Sequence, residues 1–240
     1  MPGAHMAAIS NAFPTLSELT GDGLEFKLKI IEKLCKYFKS RGSRFYNIGG
    51  DESGVEILQY ANFMKHALRV ITQNDLTPII WNDEVCKNGL LDPYLNNGAI
   101  VMPWKQIQNN TIQAIKNGGY RIINSCYTTL YCSFISDYWD EQSETSPTTD
   151  ARFNKLKQEG LSYFMDGSHT DDFFGVSMCI WNDSPELFGS AGWNGDKVIE
   201  LSAPYIKTYG EVAQEYEKRA RWQNYCKILE ERIALLENSN

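Results

Sequence analysis

Short, unbroken apolar runs alternate along the chain with segments whose apolar residues recur every three or four positions. Unbroken apolar runs are typical of parallel strands buried on both faces. The pattern predicts five such strands, at residues 44–50, 77–81, 99–104, 120–125 and 175–181. Because helical patterns lie between these runs, the sequence predicts an α/β fold with a parallel sheet.

Four helices are predicted from apolar residues that share one helix face. The last helix covers about residues 205–240. A stretch rich in Asp, Glu, Ser and Thr, at 137–150, is predicted as an exposed loop between the fourth strand and its helix. The residues that define the four faces are Leu24, Leu28, Ile31, Cys35 and Phe38; Ile57, Tyr60, Met64, Ala67 and Ile71; Ile107, Ile112 and Ile115; and Val212, Tyr216, Trp222, Leu229, Ile233 and Leu236.

Right-handed strand-helix-strand units leave two architectures, an open doubly wound sheet and a closed barrel. No glycine-rich phosphate motif follows the first strand. Polar or aromatic residues lie at or just beyond the strand ends, which favours a (β/α)8 barrel with its active site at the strand carboxyl ends. Five strands are too few to close such a barrel, so we predict a partial barrel whose remaining strands are supplied elsewhere.

Charge and hydropathy narrow the classes of partner. The net charge is −7, and the basic residues are spread along predicted helices, so we predict no nucleic-acid partner. No apolar run approaches the ~20 residues that span a bilayer. The sequence has no basic stretch followed by an apolar core, so it predicts no signal peptide. It does not indicate a cellular location.

Six cysteines are present, and none forms a C-x-x-C pair or lies at zinc-ligand spacing from a histidine. Several fall inside apolar runs, where a thiol behaves as a small hydrophobic group. We interpret them as reduced and structural, and we predict no metal site and no cofactor. They are Cys35, Cys86, Cys126, Cys132, Cys179 and Cys226.

The most informative segment for chemistry is Gly49-Gly50-Asp51-Glu52, at the end of the first predicted strand. Two glycines let the backbone turn tightly and approach a ligand. Adjacent carboxylates repel each other, which favours different protonation states and different roles. The alternative is a helix start, since acidic residues favour a first turn, and an isolated Asp-Glu pair would favour that alternative.

The surrounding motifs favour catalysis. Residues 45–52 resemble the signature of glycoside hydrolase family 20, the β-N-acetylhexosaminidases, whose fourth barrel strand ends in H/N-x-G-G-D-E. Residues 1–6 resemble the tail of the third-strand motif D-x-P-G-H. The remaining strand ends resemble the fifth to eighth motifs in order, at Trp81-Asn82-Asp83, Trp104, Asn124-Ser125 with Tyr131, and Trp181-Asn182-Asp183. The resemblance implies one catalytic barrel domain over residues 1–240, from the end of strand 3 through strand 8.

The resemblance also implies a mechanism. In this family the substrate's own 2-acetamido oxygen attacks the anomeric carbon, which gives an oxazolinium intermediate and retention of configuration. Glu52 would be the general acid and then the base that activates water. Asp51 would stay ionised, orient the acetamide and stabilise the developing cation.

Further substrate contacts are implied by the same motifs. Trp81, Trp104 and Trp181 would enclose the acetamide methyl group and the sugar face, because sugar C–H faces stack on indole rings. A tyrosine hydroxyl would bind the acetamide oxygen. Tyr131 is the predicted donor, and Tyr127 remains an alternative.

The resemblance is weaker at two site positions, and it does not extend to the family's first two strands. Asp183 would bind sugar hydroxyls, although the family usually has a glutamate there, and His5 would hydrogen-bond Glu52. The family's first two strands, with a sugar-binding arginine, have no counterpart in these residues. We expect either an N-terminal segment that completes the barrel or self-association.

The implied substrates are N-acetyl-β-hexosaminide glycans. Release of terminal N-acetylglucosamine or N-acetylgalactosamine, release of a disaccharide as in a lacto-N-biosidase, and sugar binding without catalysis all stay open.

Overall fold

A computed structural model of the chain describes residues 12–16, 19–83, 98–107, 110–133, 149–181 and 195–237, and the structural statements below concern these residues. The chain divides into two compact units. One takes Met1–Cys126 and Phe164–Val176, and the other takes Tyr127–Tyr163 and Ser177–Asn240. His5, Cys86, Asp183 and most of the predicted loop at 137–150 lie outside the described residues.

Helices and strands are interspersed along the described residues, and a short 3-10 turn, Pro14–Leu16, precedes them. The helices are α1 (Gly21–Ser40), α2 (Ile57–Gln73), α3 (Thr111–Asn117), α4 (Tyr127–Leu130), α5 (Thr149–Glu159) and α6 (Gly195–Glu237). The strands are β1 (Phe45–Gly49), β2 (Thr77–Trp81), β3 (Ile100–Met102), β4 (Arg121–Asn124), β5 (Tyr131–Ser133), β6 (Gly175–Val176) and β7 (Cys179–Trp181).

The first unit is built on a five-stranded sheet in the order β1-β2-β3-β4-β6, and every neighbouring pair is parallel. Its strands therefore lie side by side in chain order. A doubly wound sheet would reverse its strand order at a switch point, whereas a (β/α)8 barrel keeps chain order. The predicted α/β class and partial barrel are confirmed.

The core of this unit lies between the sheet and the helices α1 and α2. Ile48, Ile80 and Val101 bring one buried side chain each from β1, β2 and β3. The predicted face of α2 is confirmed, with Tyr60, Met64, Ala67 and Ile71 all buried. In α1 the buried row runs through Gly23, Lys27, Ile31 and Cys35, and the predicted Phe38 is exposed. Each fully buried large apolar side chain contributes roughly 1.5–3 kcal/mol.

The fifth predicted strand, residues 175–181, is wrong as a single element. Its first part, β6, pairs with β4 in the first unit, and its last part, β7, pairs with β5 in the second. Ser177 and Met178 separate the two parts without a glycine or proline to mark the break. The change of partner is a tertiary event, so the apolar run alone does not record it.

In the second unit, α5 and the amino-terminal part of α6 pack together. α6 begins at Gly195, ten residues before the predicted start, and Pro204 lies inside it. The predicted apolar face of its later half is not a buried face, because Trp222 and Leu229 are exposed. None of the described helices is both long enough and apolar enough to cross a membrane.

Candidate active site

The turn after β1 presents the acidic pair at the carboxyl edge of the sheet. Gly49 and Gly50 both have positive φ, of 78° and 99°, which glycine adopts at little cost. The Asn47 side chain accepts the Gly49 N–H at 2.9 Å, where the β1–β2 register shifts. The buried Tyr60 hydroxyl donates to the Gly50 carbonyl at 3.0 Å. A Cβ on Gly50 would lie 2.7 Å from that hydroxyl, so the sequence needs glycine here.

The acidic pair lies beyond the strand and ahead of the next helix. Asp51 is half-buried, and Glu52 is exposed with φ of 45°. α2 begins at Ile57, and the side chain of Glu56 caps it by accepting the N–H groups of Leu58 and Gln59 at 2.9 and 3.0 Å. The alternative interpretation of Asp51 and Glu52 as the first turn of a helix is therefore wrong.

Two tryptophans lie at the ends of the neighbouring strands. Trp81 ends β2 and is buried, and Trp104 lies two residues beyond β3 and is half-buried. The buried Asn82 joins these strand ends. Its Nδ2 donates to the Lys105 carbonyl at 2.8 Å, and its Oδ1 accepts the Trp104 backbone N–H at 3.1 Å. Bonds of this kind satisfy a buried amide and hold the loop after β3 against β2.

Asp83 is a residue of this site whose role the sequence did not indicate. Its side chain is 4% exposed. One oxygen accepts the Glu52 backbone N–H at 3.3 Å and lies 2.7 Å from the Lys105 ammonium, and the other accepts the Trp104 indole N–H at 2.5 Å. The Lys105 ammonium also lies 4.3 Å from the centre of the Trp104 ring. The available signals were a carboxylate two residues after a buried strand and its place in the Trp81-Asn82-Asp83 motif.

The second unit holds the other predicted aromatic residues. Tyr131 begins β5 and Trp181 ends β7, and these parallel strands pair Tyr131 with Cys179 and Ser133 with Trp181. The rings of Tyr131 and Trp181 have centroids 5.9 Å apart, and those of Tyr131 and Tyr127 are 6.4 Å apart. The structure therefore brings Tyr131, Tyr127 and Trp181 together within this unit.

A buried cation and a thiol lie beside these aromatic residues. Burial lowers the pKa of Arg152, and the neighbouring Tyr127, Tyr131 and Cys132 act in the opposite direction. Burial raises the pKa of the Cys132 thiol to about 12, against a smaller opposing effect of Arg152. A thiol with such a pKa stays protonated near neutral pH and is a poor nucleophile. The five described cysteines are all free.

Four of the predicted site residues, Asp51, Glu52, Trp81 and Trp104, thus lie in the first unit. Tyr131 and Trp181 lie in the second unit, and His5 and Asp183 lie outside the described residues. Among the residues that the structure covers, no three His, Cys, Asp or Glu side chains are grouped so as to hold a metal ion. The chemistry available at the first unit's sheet edge is that of carboxylates and indole rings.

Solved structures with a similar fold include a β-N-acetylhexosaminidase from Bacteroides fragilis, with 18% identity, a TM-score of 0.63, and coverage of 95% of this chain and 50% of that one. The pneumococcal virulence factor StrH shows 14% identity and a TM-score of 0.61, with 80% of this chain and 49% of that chain covered. Dispersin B shows 17% identity and a TM-score of 0.55, with 80% and 58% covered. The chain spans about half the length of these structures, and at such identities the likeness concerns the fold.

The sequence itself identifies the family. Comparison with curated proteins finds no match. Residues 53–186, more than half of the chain, match the family described as glycosyl hydrolase family 20, catalytic domain, and the match begins directly after Glu52. Together with the parallel sheet in barrel order, this match shows that the chain belongs to glycoside hydrolase family 20.

Proposed function

We propose that the protein is a retaining β-N-acetylhexosaminidase that removes terminal N-acetylhexosamine from β-linked glycans by substrate-assisted catalysis. The observation that carries the proposal is the position of Glu52. Its exposed carboxyl group follows a glycine turn at the carboxyl edge of a parallel sheet, which is where (β/α)8 barrels place their catalytic groups. Membership of a glycoside hydrolase family agrees with this chemistry.

In the first step, the acetamide oxygen of the substrate forms a bond to the anomeric carbon as the glycosidic C–O bond breaks. Glu52 gives its proton to the departing oxygen. Asp51, directly adjacent in the chain, accepts the acetamide N–H and stabilises the positive charge of the oxazolinium ring. The acetamide supplies the nucleophile, so no enzyme nucleophile is required.

In the second step, Glu52 takes a proton from water as the water oxygen attacks the anomeric carbon. The ring C–O bond breaks, the acetamide is regenerated, and two inversions give net retention. Trp81 and Trp104 enclose the acetamide methyl group, and their indole rings pack against it. The roles of His5, Tyr131, Trp181 and Asp183 stay predictions from the sequence.

The test compares two glutamates four residues apart. Glu52→Gln lowers the kcat for an aryl N-acetyl-β-glucosaminide by roughly 10²–10⁴-fold, the usual contribution of a general acid, and leaves substrate affinity nearly unchanged. Glu56→Gln is the control, because its amide oxygen can still accept the helix N–H groups that Glu56 binds. Wild-type turnover in Glu52→Gln would remove Glu52 from the proposed role.

A second experiment varies the substrate instead of the protein. Glucosides with a 2-hydroxyl in place of the 2-acetamide are hydrolysed very poorly, because they carry no internal nucleophile. A thiazoline analogue of the intermediate inhibits hydrolysis. Equal turnover of both substrates would reject substrate assistance, and thiazoline binding without hydrolysis of any glycoside would identify a sugar-binding protein instead.

A further inference from the structure

Asp83 joins two separate parts of the candidate site. It lies two residues beyond the end of β2, and its side chain is nearly inaccessible to solvent. One of its oxygens faces the backbone N–H of Glu52, 31 residues earlier, and the other faces the indole N–H of Trp104, 21 residues later. Both contacts lie within the first compact unit. A single carboxylate is therefore in contact with the proposed acid/base residue and with a proposed wall of the acetamide pocket.

The conformation of Glu52 gives this contact its significance. Glu52 has φ of 45°, in the left-handed region that residues with a Cβ rarely adopt. Such a conformation persists only where the surroundings hold it. The Asp83 carboxylate accepts the N–H of this same residue, so it helps to define the direction in which the Glu52 side chain leaves the backbone.

The position of Trp104 depends on the same carboxylate. Its indole N–H donates to Asp83 at 2.5 Å, and the Lys105 ammonium lies both over its ring and 2.7 Å from Asp83. Hydrogen bonds to an ionised acceptor are about twice as strong as neutral ones. The pair of Asp83 and Lys105 thus fixes the tilt of the indole ring.

We propose that Asp83 is a positioning residue that orients the Glu52 carboxyl group and the Trp104 ring relative to each other. Asp83 acts through these two residues and does not itself contact the substrate. This inference rests on the proposed function for its kinetic consequence, but its structural consequence at Trp104 does not depend on catalysis.

Asp83→Asn is the informative substitution, because an amide presents one acceptor and one donor where a carboxylate presents two acceptors. The amide cannot accept from both the Glu52 and the Trp104 N–H groups, whichever way it is turned. We expect kcat for an aryl N-acetyl-β-glucosaminide to fall about 10- to 100-fold, as for small misplacements of catalytic groups. KM changes less than kcat.

Two further measurements separate positioning from general loss of stability. The indole N–H resonance of Trp104 in a ¹H–¹⁵N spectrum shifts upfield in Asp83→Asn. In a background of Trp104→Phe, which lacks that donor, Asp83→Asn has a smaller effect on thiazoline affinity than in the wild type, since coupled residues are not additive. Asp166→Asn is the matched control, because Asp166 also accepts several hydrogen bonds, from Ile112 and Ser168, but none from the candidate site.

The outcomes are distinguishable. A kcat of Asp83→Asn equal to that of Asp166→Asn, while Glu52→Gln is inactive, overturns the positioning role and leaves the proposed function intact, whichever of the two N–H groups the amide oxygen accepts. Wild-type turnover in Glu52→Gln overturns the proposed function, and the Trp104 resonance then still tests the Asp83 contact.

Discussion

At the scale of single residues, the turn after β1 concentrates unusual backbone conformations beside the proposed chemistry. Gly49, Gly50 and Glu52 all have positive φ within four positions. For a residue with a Cβ the left-handed conformation costs roughly 1–2 kcal/mol. The contacts of Tyr60 with Gly50 and of Asp83 with Glu52 offset that cost. The geometry that presents the acidic pair therefore depends on side chains from α2 and from the segment that follows β2.

A substitution at Gly50 tests this dependence. Gly50→Ala adds a Cβ 2.7 Å from the Tyr60 hydroxyl in a backbone with φ of 99°. We expect a loss of about 1–3 kcal/mol in the free energy of unfolding, measured by urea denaturation, since residues held in sparsely populated backbone regions cost that much. Hydrolase turnover should fall as well.

Two variants separate the clash at Gly50 from the backbone strain. Gly54 also has positive φ, of 63°, but an added Cβ there meets no atom within 4 Å, so Gly54→Ala reports strain alone. Tyr60→Phe removes the hydroxyl and should make Gly50→Ala less costly. Equal losses for Gly50→Ala and Gly54→Ala in the wild-type background would contradict the proposed importance of the Tyr60 contact.

At the scale of elements, Tyr205 links the helices α5 and α6 in the second unit through a hydrogen bond and a ring contact. The Tyr205 hydroxyl of α6 donates to the Asp150 carboxylate in the first turn of α5 at 2.8 Å. The Tyr205 ring packs on Phe153 with centroids 4.7 Å apart. The pKa of Tyr205 is raised to about 12, mainly by burial and to a smaller extent by the hydrogen bond to Asp150 and the charge of that carboxylate. The folded state thus favours the neutral phenol.

This shift predicts a pH dependence of stability. The pKa of Tyr205 is raised on folding from its ordinary value of 10.0, so its contribution is fully present below pH 10 and is lost as the pH rises towards 12. Tyr205→Phe should lower the free energy of unfolding at pH 7 by about 1 kcal/mol, the usual net value of one hydrogen bond. The difference from wild type should shrink between pH 10 and 12.

The control for Tyr205 is Tyr225→Phe, at an exposed position of the same helix. Tyr225→Phe should leave the free energy of unfolding unchanged at both pH 7 and pH 12. A difference between Tyr205→Phe and wild type that stays constant from pH 7 to pH 12 would show that the hydroxyl does not titrate in the way its environment implies.

At the scale of the whole molecule, the described sheet has two terminal strands, β1 and β6, each with one paired neighbour among the described strands. Terminal strands present unpaired N–H and C=O groups that favour association. α6 adds exposed apolar side chains at Trp222, Tyr225 and Ile228, and exposed apolar patches favour association too.

We therefore predict that the 240-residue chain expressed alone self-associates and hydrolyses aryl N-acetyl-β-glucosaminides slowly. Joining it to the first strands of a family 20 barrel should give a monodisperse and more active protein, because those strands would pair with a terminal strand of the described sheet. Sedimentation velocity and an aryl-glycoside assay on the same samples test this. Trp222→Glu replaces one of the exposed apolar side chains of α6 and should reduce self-association. A fully active monomer of the chain alone would contradict the prediction.

Local pattern was sufficient for much of the fold. The strands β1 to β4 and the helices α1 and α2 were predicted because their apolar periodicity follows directly from burial on a sheet or a helix face. Asp51 and Glu52 were singled out because the segment that contains them resembles the family 20 signature, and their catalytic roles stay a prediction. The division of residues 175–181 and the short strand β5 were not predicted, since they depend on which strand each segment pairs with.

The contacts that support the acidic pair could not be predicted from the sequence either, because they too depend on which segments meet in the folded chain. Asp83 acquires its role only when the ends of β1, β2 and β3 meet, because Glu52 and Trp104 are 31 and 21 residues away from it along the chain. The same holds for the exposure of Trp222, whose helical periodicity predicts an apolar face but does not specify whether another element covers it. Periodicity records the local conformation that a segment prefers, whereas hydrogen-bond partners and burial are set by segments brought together through folding.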